Sequence, residues 1–358
     1  MKILVINPGS TSTKIAVYSE EASGKLKSEL DETISHSREE LSPFTSIMDQ
    51  LTFRKGMIVD TLKEAGYQVE EMAGIAARGG LFKPVTGGTY RVNEDMVADL
   101  RAGYQGEHAS NLAGVMAFQL EQETGVPAFV VDPVAIDEFV PESRISGIPE
   151  LPRQCLSHAL NIKAVARKAA GEMGWQFAET NFVVAHLGGG CSIAPLDKGR
   201  IVDVNNGNEG GPFTPERAGT VPAGGLLKLA YSGDYTYQQL KKKLVGEGGL
   251  YAYLGTADGR EIEARIAAGD SEAELIYSAM VYQIAKEIGA MAAVLKGDVA
   301  AILLTGGLAH SSFVVEGIKE RVSYIAPVRS YPGGMEMEAL CRGVLRVLKG
   351  EEESKLYS

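Results

Sequence analysis

Three glycine-rich turns contain the groups best suited to chemistry, and each turn follows a short apolar run. They are NPGSTST at 7–13, LGGGCS at 187–192 and TGG at 305–307. Glycine lets backbone N–H groups approach an anion closely, and serine and threonine hydroxyls add further hydrogen-bond donors. Three such turns in one chain indicate a protein that holds the phosphates of a nucleotide. GxxxxGK[ST] does not occur, and none of the turns is a GxGxxG that opens a helix, so the nucleotide is held by another scheme.

The first two turns connect the strands of predicted β-hairpins. Residues 2–6 are apolar and residues 14–18 alternate with a period of two, which predicts a hairpin with a hydroxyl-rich tip. The second half of the chain repeats this arrangement, with strands predicted at 181–186, 193–196 and 201–204. Because the two hairpins lie about half a chain apart, we expect an internal duplication at the level of topology.

Helical and strand patterns alternate through the rest of the chain. Helices are predicted at 109–124, 156–173 and 271–296 and from residue 336 onward, and buried strands at 127–131 and 300–304. Strands alternating with helices in both halves predict an α/β architecture with mixed sheets.

Chain length and a proline-rich segment predict two domains. The 358 residues correspond to about two domains at ~150 residues each. Prolines 141, 149 and 152 exclude a helix over 141–152 and mark a loop or hinge there. We therefore expect a first domain over 1–150 and a second over 151–335.

Composition excludes several classes of protein. The chain has 35 basic and 46 acidic residues, a net charge of −11, and no basic run longer than residues 241–243, whereas nucleic-acid binders normally show a basic patch. The isolated cysteines Cys155, Cys191 and Cys341 exclude a disulfide framework and a zinc site, and favour a reducing cytosol. No apolar run is long enough for a secretory signal or a membrane span. We expect a cytoplasmic protein without nucleic-acid or membrane partners.

The turns and several further motifs resemble a known family. INPGSTSTK at 6–14 and AHLGGGCS at 185–192 are similar to the phosphate hairpins of the acetokinase family, within the superfamily of actin, heat-shock chaperone and sugar-kinase ATPases. The resemblance extends over nearly the whole chain through RGG at 78–80, DPVA at 132–135, PFTPER at 212–217 and TGGL at 305–308. Within the family, the butyrate kinases are most similar at RGGLFKP (78–84), ESR (142–144) and EMEAL (336–340).

This resemblance implies a fold and a reaction. The implied fold has two duplicated ribonuclease H-like, actin-like ATPase domains with mixed five-stranded sheets, a cleft between them, and the C-terminal helix of 336–358 packing on the first domain. The implied reaction transfers a phosphoryl group reversibly between ATP, with Mg²⁺, and a short-chain carboxylic acid, butanoate first, with isobutyrate or propionate as alternatives. A sugar or polyol kinase, which would use Asp132 as a general base, is the other reaction of this scaffold. The resemblance also implies a homo-oligomer, a dimer or a multiple of dimers.

The resemblance also assigns roles to individual residues. Catalytic roles fall to Arg78, Asp132, Arg144 and His186, and acid binding to His108 and Arg217. Nucleotide binding falls to Asn7, Ser10, Ser12, Lys14, Gly188, Gly189, Gly190, Asp258, Arg260, Gly306 and Gly307. The residues near the magnesium ion would be Asn7, Asp132 and Glu336, and Glu338 is an alternative to Glu336. Ordinary structural roles stay open: a surface salt bridge for Arg78, a core position for His186, a helix cap for His108, a solvent-facing strand position for Lys14, and turn positions for Asp132 and Asp258.

The chain departs from the acetate-kinase branch at two positions. That branch carries a carboxylate-binding arginine three residues before the position of Arg78, and a second one after a Gly-Thr pair. This chain has Ile75 and Val221 there. Acetate is therefore a less favoured substrate, and the arginines at 78, 144 and 217 are the candidates for binding the acid.

Overall fold

The chain, described over residues 1–358 in a computed structural model, contains eleven strands, twelve α-helices and five short 3-10 helices. The strands are β1 (Lys2–Pro8), β2 (Ser12–Glu20), β3 (Leu26–Ser35), β4 (Gly74–Arg78), β5 (Thr89–Arg91), β6 (Ala128–Val131), β7 (Phe182–Leu187), β8 (Cys191–Asp197), β9 (Arg200–Ile201), β10 (Ala301–Gly306) and β11 (Val328–Pro332). The helices are α1 (Arg38–Leu41), α2 (Leu51–Glu64), α3 (Glu94–Ala102), α4 (Asn111–Thr124), α5 (Ala159–Glu172), α6 (Ala223–Ala230), α7 (Tyr237–Leu244), α8 (Gly249–Leu254), α9 (Gly259–Ala267), α10 (Ser271–Val294), α11 (Ser312–Val322) and α12 (Glu336–Leu348).

The chain divides into two compact units, each with its own sheet. The first unit comprises Met1–Asp137 and Met335–Ser358, and the second comprises Glu138–Gly334. The proline-rich segment 141–152, which we expected to end at the boundary, therefore belongs wholly to the second unit. Helix α12 belongs to the first unit, where it contacts β1, β4 and β6.

The two sheets share one topology. The order is β3-β2-β1-β4-β6-β5 in the first sheet and β9-β8-β7-β10-β11 in the second. In both, the first two strand pairs are antiparallel and the next two are parallel. The predicted duplication and the α/β class with mixed sheets are confirmed. The first sheet has six strands instead of the expected five, because the three-residue strand β5 adds antiparallel to β6.

The ladders of both hairpins continue into the predicted turns. Strands β1 and β2 pair as far as Pro8 with Thr13, which leaves residues 9–12 as a first tip. Strands β7 and β8 pair as far as Leu187, which leaves residues 188–190 as a second tip. Both turns are therefore tighter than the sequence predicts, and the flanking polar residues are held by strand hydrogen bonds.

Parallel pairing gathers polar residues at one edge of the first sheet. Ile6 of β1 is in register with Ala77 of β4, and Arg78 of β4 is in register with Val131 of β6. The carboxyl ends of the three central strands therefore meet at one edge, where ligands bind in open α/β sheets. In the second sheet, the carboxyl ends of β7, β10 and β11 meet in the same way.

Apolar side chains form a separate core in each unit. Strand β6 of the first sheet and strands β7 and β10 of the second are buried throughout, and helices cover both cores. None of the helices combines the length and the apolar character that crossing a membrane requires.

Helix α12 packs on the first sheet through a glycine. A Cβ built on Gly343 would lie 2.3 Å from Cγ1 and 2.7 Å from Cγ2 of Val131 in β6. Helix α2 provides the opposite case, because a Cβ on Gly56 would meet nothing within 4 Å. Replacing the glycine by alanine should therefore change the free energy of unfolding in opposite directions at these two helical positions.

We expect Gly343→Ala to destabilise the protein and Gly56→Ala to stabilise it. The first change overpacks a core contact, which typically costs ~1–3 kcal/mol, whereas the second gains up to ~1 kcal/mol of helix propensity. Urea unfolding of both variants measures the difference. An equal shift of the two midpoints would contradict the close packing of α12 on β6.

Candidate active site

The carboxyl edge of the first sheet brings together three of the predicted site residues. Arg78 Nη1 donates a hydrogen bond to Asn7 Oδ1 at 3.4 Å. Asp132, the residue after β6, has a φ of +38°, a conformation that non-glycine residues rarely adopt. Its carboxylate accepts the amide of Gly88 at 2.8 Å, and its own amide donates to the Gly88 carbonyl at 3.0 Å. These hydrogen bonds hold Asp132 in a backbone conformation of the kind that clusters at functional sites.

Arg78 is a cation in a desolvated position beside one carboxylate. Burial lowers the pKa of Arg78 and the negative charge of Glu336 raises it, and the guanidinium remains protonated at any physiological pH. Glu336 lies in the first turn of α12. Glu338, its rival in the sequence, instead pairs with Arg342 at 2.7 Å. Of the two carboxylates, Glu336 is the one that acts on the Arg78 charge.

His108 lies close enough to Arg78 to feel its charge. Desolvation and the Arg78 charge lower the pKa of His108, so its imidazole is neutral at pH 7. Its Nδ1 lies 2.7 Å from Ser110 Oγ and accepts the Ser110 amide at 3.2 Å. Because Nδ1 is an acceptor, the ring proton is on Nε2. Ser110 is the N-cap of α4 and α4 has no side-chain cap, so His108 contacts the capping residue without itself capping the helix.

Two other predicted site residues have contacts of an ordinary structural kind. Lys14 forms an exposed ion pair with Asp31 at 3.3 Å, as its solvent-facing alternative describes. Arg144 Nη2 donates to the carbonyl of Phe139 at 3.4 Å, and its guanidinium lies 5.8 Å from the centre of the Phe139 ring. A role for either residue on substrate stays a prediction.

In the second unit, a chain of hydrogen bonds fixes the proton of His186. The Thr305 hydroxyl donates to the Gly333 carbonyl at 3.0 Å, so it can only accept from Asn161 Nδ2 at 3.2 Å. The same amide nitrogen lies 2.8 Å from His186 Nδ1 and donates to it. The ring proton is therefore on Nε2, which lies beside the second tip, 3.6 Å from where a Cβ on Gly188 would be.

The second tip packs against side chains of a neighbouring segment at two of its positions. A Cβ on Gly190 would lie 2.4 Å from Cζ of Arg217, so this guanidinium stacks directly against the tip. A Cβ on Gly189 would lie 3.0 Å from Glu216, and Thr214 Oγ1 donates to the Gly189 carbonyl at 2.5 Å. The segment 212–217 thus supports the tip from one side and places Arg217 against it.

The third turn lies against the end of β7 because of one glycine. Gly306 has a φ of +88°, and a Cβ there would lie 2.3 Å from the Leu187 carbonyl oxygen. Only glycine fits, and the close approach brings Gly307 next to the second tip. The second and third turns therefore belong to one site.

A cavity of about 580 Å³ adjoins these two turns. Within it, Asp258 is the N-cap of α9 and makes hydrogen bonds with the Arg260 side chain and amide, which lower the Asp258 pKa to about 2. Glu263 Oε1 accepts from the Ser311 hydroxyl at 2.5 Å and the Tyr277 hydroxyl at 3.2 Å. The cavity is lined by Gly188, Gly189, Pro215, Glu216, Ala257, Asp258, Gly259, Arg260, Glu263, Tyr277, Gly307, Leu308, His310 and Ser311.

Sequence reasoning missed the residues that support this site. Asn161 and Thr305 set the His186 proton, and His158 stacks on the His186 ring with centroids 4.0 Å apart. Glu263 was missed as well. Asn161 carried a signal, because it is a polar residue within the buried run that starts helix α5. Thr305 belongs to the third predicted turn, but its contact with Asn161 gave no local signal, and neither did the contacts of His158 and Glu263, since the partners lie far away in the sequence.

Comparison with known proteins bears on the family and the fold of this chain. A model of the acetokinase family matches residues 152–325. The crystal structure of acetate kinase from Porphyromonas gingivalis has a TM-score of 0.76 at 19% identity, over 97% of this chain and 99% of that one. A propionate kinase from Francisella tularensis subsp. tularensis SCHU S4 has a TM-score of 0.73 at 18% identity, over 96% and 98%. At these identities the two structures establish the fold alone.

A curated relative establishes more than the fold. Probable butyrate kinase 2 from Caldanaerobacter subterraneus subsp. tengcongensis is 53% identical to this chain over 356 residues, which cover 99% of both proteins. The motifs that resembled the acetokinase family are thus matched by similarity along the whole sequence. The chain belongs to the acetokinase family.

Proposed function

We propose that this chain catalyses the reversible, direct in-line transfer of a phosphoryl group from ATP to butyrate, giving butyryl phosphate and ADP. Its full-length similarity to a probable butyrate kinase carries the proposal. Other short acids, such as propionate and isobutyrate, are alternatives, because one methylene in an apolar pocket changes binding by only ~1–3 kcal/mol.

The charges of the two substrates set what the site must do. A carboxylic acid with a pKa of roughly 4–5 is already ionised at pH 7, so the nucleophile needs no general base. The obstacle is the approach of this anion to the phosphates, because two unit charges 4 Å apart repel by about 4 kcal/mol at an effective dielectric constant of 20. Fixed positive groups must offset this repulsion, since phosphoryl transfer depends mainly on positioning and electrostatics.

In the first unit, Arg78 supplies the fixed charge. We assign it to the acid carboxylate and the transferring phosphoryl group, with the neutral His108 donating from Nε2 beside the acid. Ser10 and Ser12 donate to phosphate oxygens from the first hairpin. Burial of Arg78 supports this assignment, because a desolvated cation acts more strongly on an anion than an exposed one does.

Three oxygen-bearing side chains of the first unit suit a magnesium ion that enters with ATP. Asn7 and Glu336 act on Arg78, and Asp132 follows the adjacent strand. Magnesium prefers one or two carboxylates together with substrate phosphates and water, which is this donor set. No three His, Cys, Asp or Glu side chains of the chain cluster as a self-sufficient metal site. When bound with ATP, the ion would offset phosphate charge.

In the second unit, we assign the tip and cavity to the nucleotide. The backbone amides of residues 188–190 and the Nε2–H of His186 donate to phosphate oxygens. Arg217, which the resemblance assigned to the acid, lies against the same tip, so we assign its charge to the phosphates instead. Gly306 and Gly307 form the wall near the adenosine, and Asp258 and Arg260 contact its ribose and base. A cavity of about 580 Å³ supports this assignment, because ligand pockets commonly measure 300–1,000 Å³.

A panel of acceptors tests the proposed reaction. With ATP and Mg²⁺, we expect acyl phosphate, trapped as a hydroxamate, from C3–C5 carboxylic acids, with butyrate the best and acetate poor. Sugars and polyols should release no ADP above the background without acceptor. Activity with sugars alone would instead favour the alternative in which Asp132 is a general base.

Replacement of Arg78 tests its assignment. Arg78→Ala should lower kcat by about 10²–10³, as loss of one preorganised positive donor does, while ADP binding measured by calorimetry changes little. Arg101→Ala removes an exposed arginine of α3 in the same unit and should leave both unchanged. Normal turnover with weakened ADP binding would show that Arg78 serves the nucleotide instead.

The exposed ion pair between Asp258 and Arg260 in the cavity allows an effect on ATP binding to be separated from an effect on the stability of the fold. Arg260→Ala should raise the KM for ATP at least about threefold through a lost hydrogen bond, with no change in the unfolding midpoint, because exposed ion pairs add little stability. Arg321→Ala breaks another exposed pair, with Glu320, and is the matched control. Equal KM values for the two variants would remove Arg260 from the nucleotide site.

A further inference from the structure

Arg54 of helix α2 is a fully buried arginine that contacts the first hairpin. Only 1% of its surface is exposed. Its Nη1 donates to the carbonyls of Gly9 at 2.7 Å and Ser12 at 3.0 Å, and its Nη2 donates to the carbonyl of Ser10 at 2.8 Å. One guanidinium thus holds the tip that follows β1 across more than 40 residues of sequence.

The remaining acceptors of Arg54 are also uncharged. Gln50 Oε1 accepts from Nε at 3.0 Å and from Nη2 at 2.8 Å, and Thr13 Oγ1 accepts from Nη1 at 3.2 Å. Arg54 makes no ion pair, so its charge is balanced by no carboxylate. The Arg54 charge acts on a neighbouring side chain. Burial of His36 and, to a smaller extent, the positive charge of Arg54 lower the pKa of His36, whose Nε2 lies 2.8 Å from Thr13 Oγ1.

These hydrogen bonds orient the tip. The carbonyls of Gly9, Ser10 and Ser12 face Arg54, and the carbonyl of Thr11 accepts the amide of His36 at 2.8 Å. The carbonyl side of the tip is therefore occupied by the protein. Ser10 and Thr11 are exposed, and their amides donate to no acceptor of the chain. The tip thus presents N–H and hydroxyl donors outward, with an unbalanced cation behind it.

We propose that Arg54 is a positioning residue that fixes the donors of the first tip toward a nucleotide phosphate and supplies, from behind the backbone, positive charge that this phosphate balances. The inference rests on the proposed function for the identity of the anion. A buried guanidinium without a counter-ion is costly to the folded state, and an anion on the outer side of the tip removes that imbalance.

Gln50→Glu tests the charge without disturbing the packing. The substitution is isosteric and gives Arg54 a carboxylate partner where an amide oxygen already accepts two hydrogen bonds. We expect the unfolding midpoint to stay equal or rise, while the Kd of the β,γ-imido analogue of ATP increases about tenfold through the lost attraction. The Kd of adenosine, which lacks phosphates, should not change.

The control changes the net charge equally within α2, the helix that begins directly after Gln50. Lys55→Gln also lowers the charge by one, but Lys55 pairs with Glu123 and does not touch the tip, so the Kd of the analogue should equal that of the wild type. An unchanged Kd in Gln50→Glu would overturn the proposal. So would a lower unfolding midpoint with equal losses for adenosine and the analogue, since the effect would then arise from the fold.

The wild-type measurement separates this inference from the proposed function. Failure of the wild-type chain to bind the analogue would remove the proposed function, and the inference with it. Binding by the wild type that Gln50→Glu leaves intact counts against the inference alone. Arg54→Lys adds a second readout, because lysine keeps the positive charge but lacks the planar guanidinium that donates several hydrogen bonds at once. It should lower kcat more than it raises the KM for ATP if orientation of the tip is the larger part of the role.

Discussion

Repulsion between anions is the constraint on which the site of this protein depends. A carboxylate must approach a chain of phosphates, and neither substrate carries positive charge to ease the approach. The protein must supply cations and N–H donors in fixed places, because donors that reorganise during the reaction lose much of their effect. We assign this role to the partly buried Arg78, the arginine stacked on the second tip and the backbone amides of both tips, without relying on exposed lysines.

The duplicated topology explains how similar donors arise twice. Each sheet places a hairpin tip beside the carboxyl ends of parallel strands, so backbone amides and the side chains that follow the strands share one edge. What differs is the support behind each tip. An arginine side chain holds the carbonyls of the first tip, whereas the segment 212–217 and a glycine of β10 hold the second. One topology therefore accommodates two different ways of orienting donors.

The sequence predicted the parts of the site whose signals are local. Apolar runs, alternating residues and glycine with hydroxyls within ten positions gave both hairpins and the third turn. It did not predict Arg54 or Asn161, because the hairpin partners of Arg54 lie 41 or more residues away, the partners of Asn161 lie 25 or more residues away, and both sets depend on packing. The sixth strand, β5, is only three residues long and has no periodicity to detect. The sequence did not predict that the first unit ends at residue 137. Tertiary contacts define this boundary, whereas the prediction relied on prolines.

Arg54 and Lys14 show why a cation near phosphate need not be a surface side chain. Lys14 neighbours Asn7 across the hairpin, yet its charge is paired with Asp31 in solvent, where screening leaves little for a ligand. Arg54 cannot touch a ligand, because it is buried. It is also surrounded by neutral oxygens, so no carboxylate cancels the positive potential of its guanidinium on the far side of the tip. Stability alone would favour a carboxylate beside it. An amide at residue 50 instead leaves the charge available to the anion that we propose on the other side of the tip.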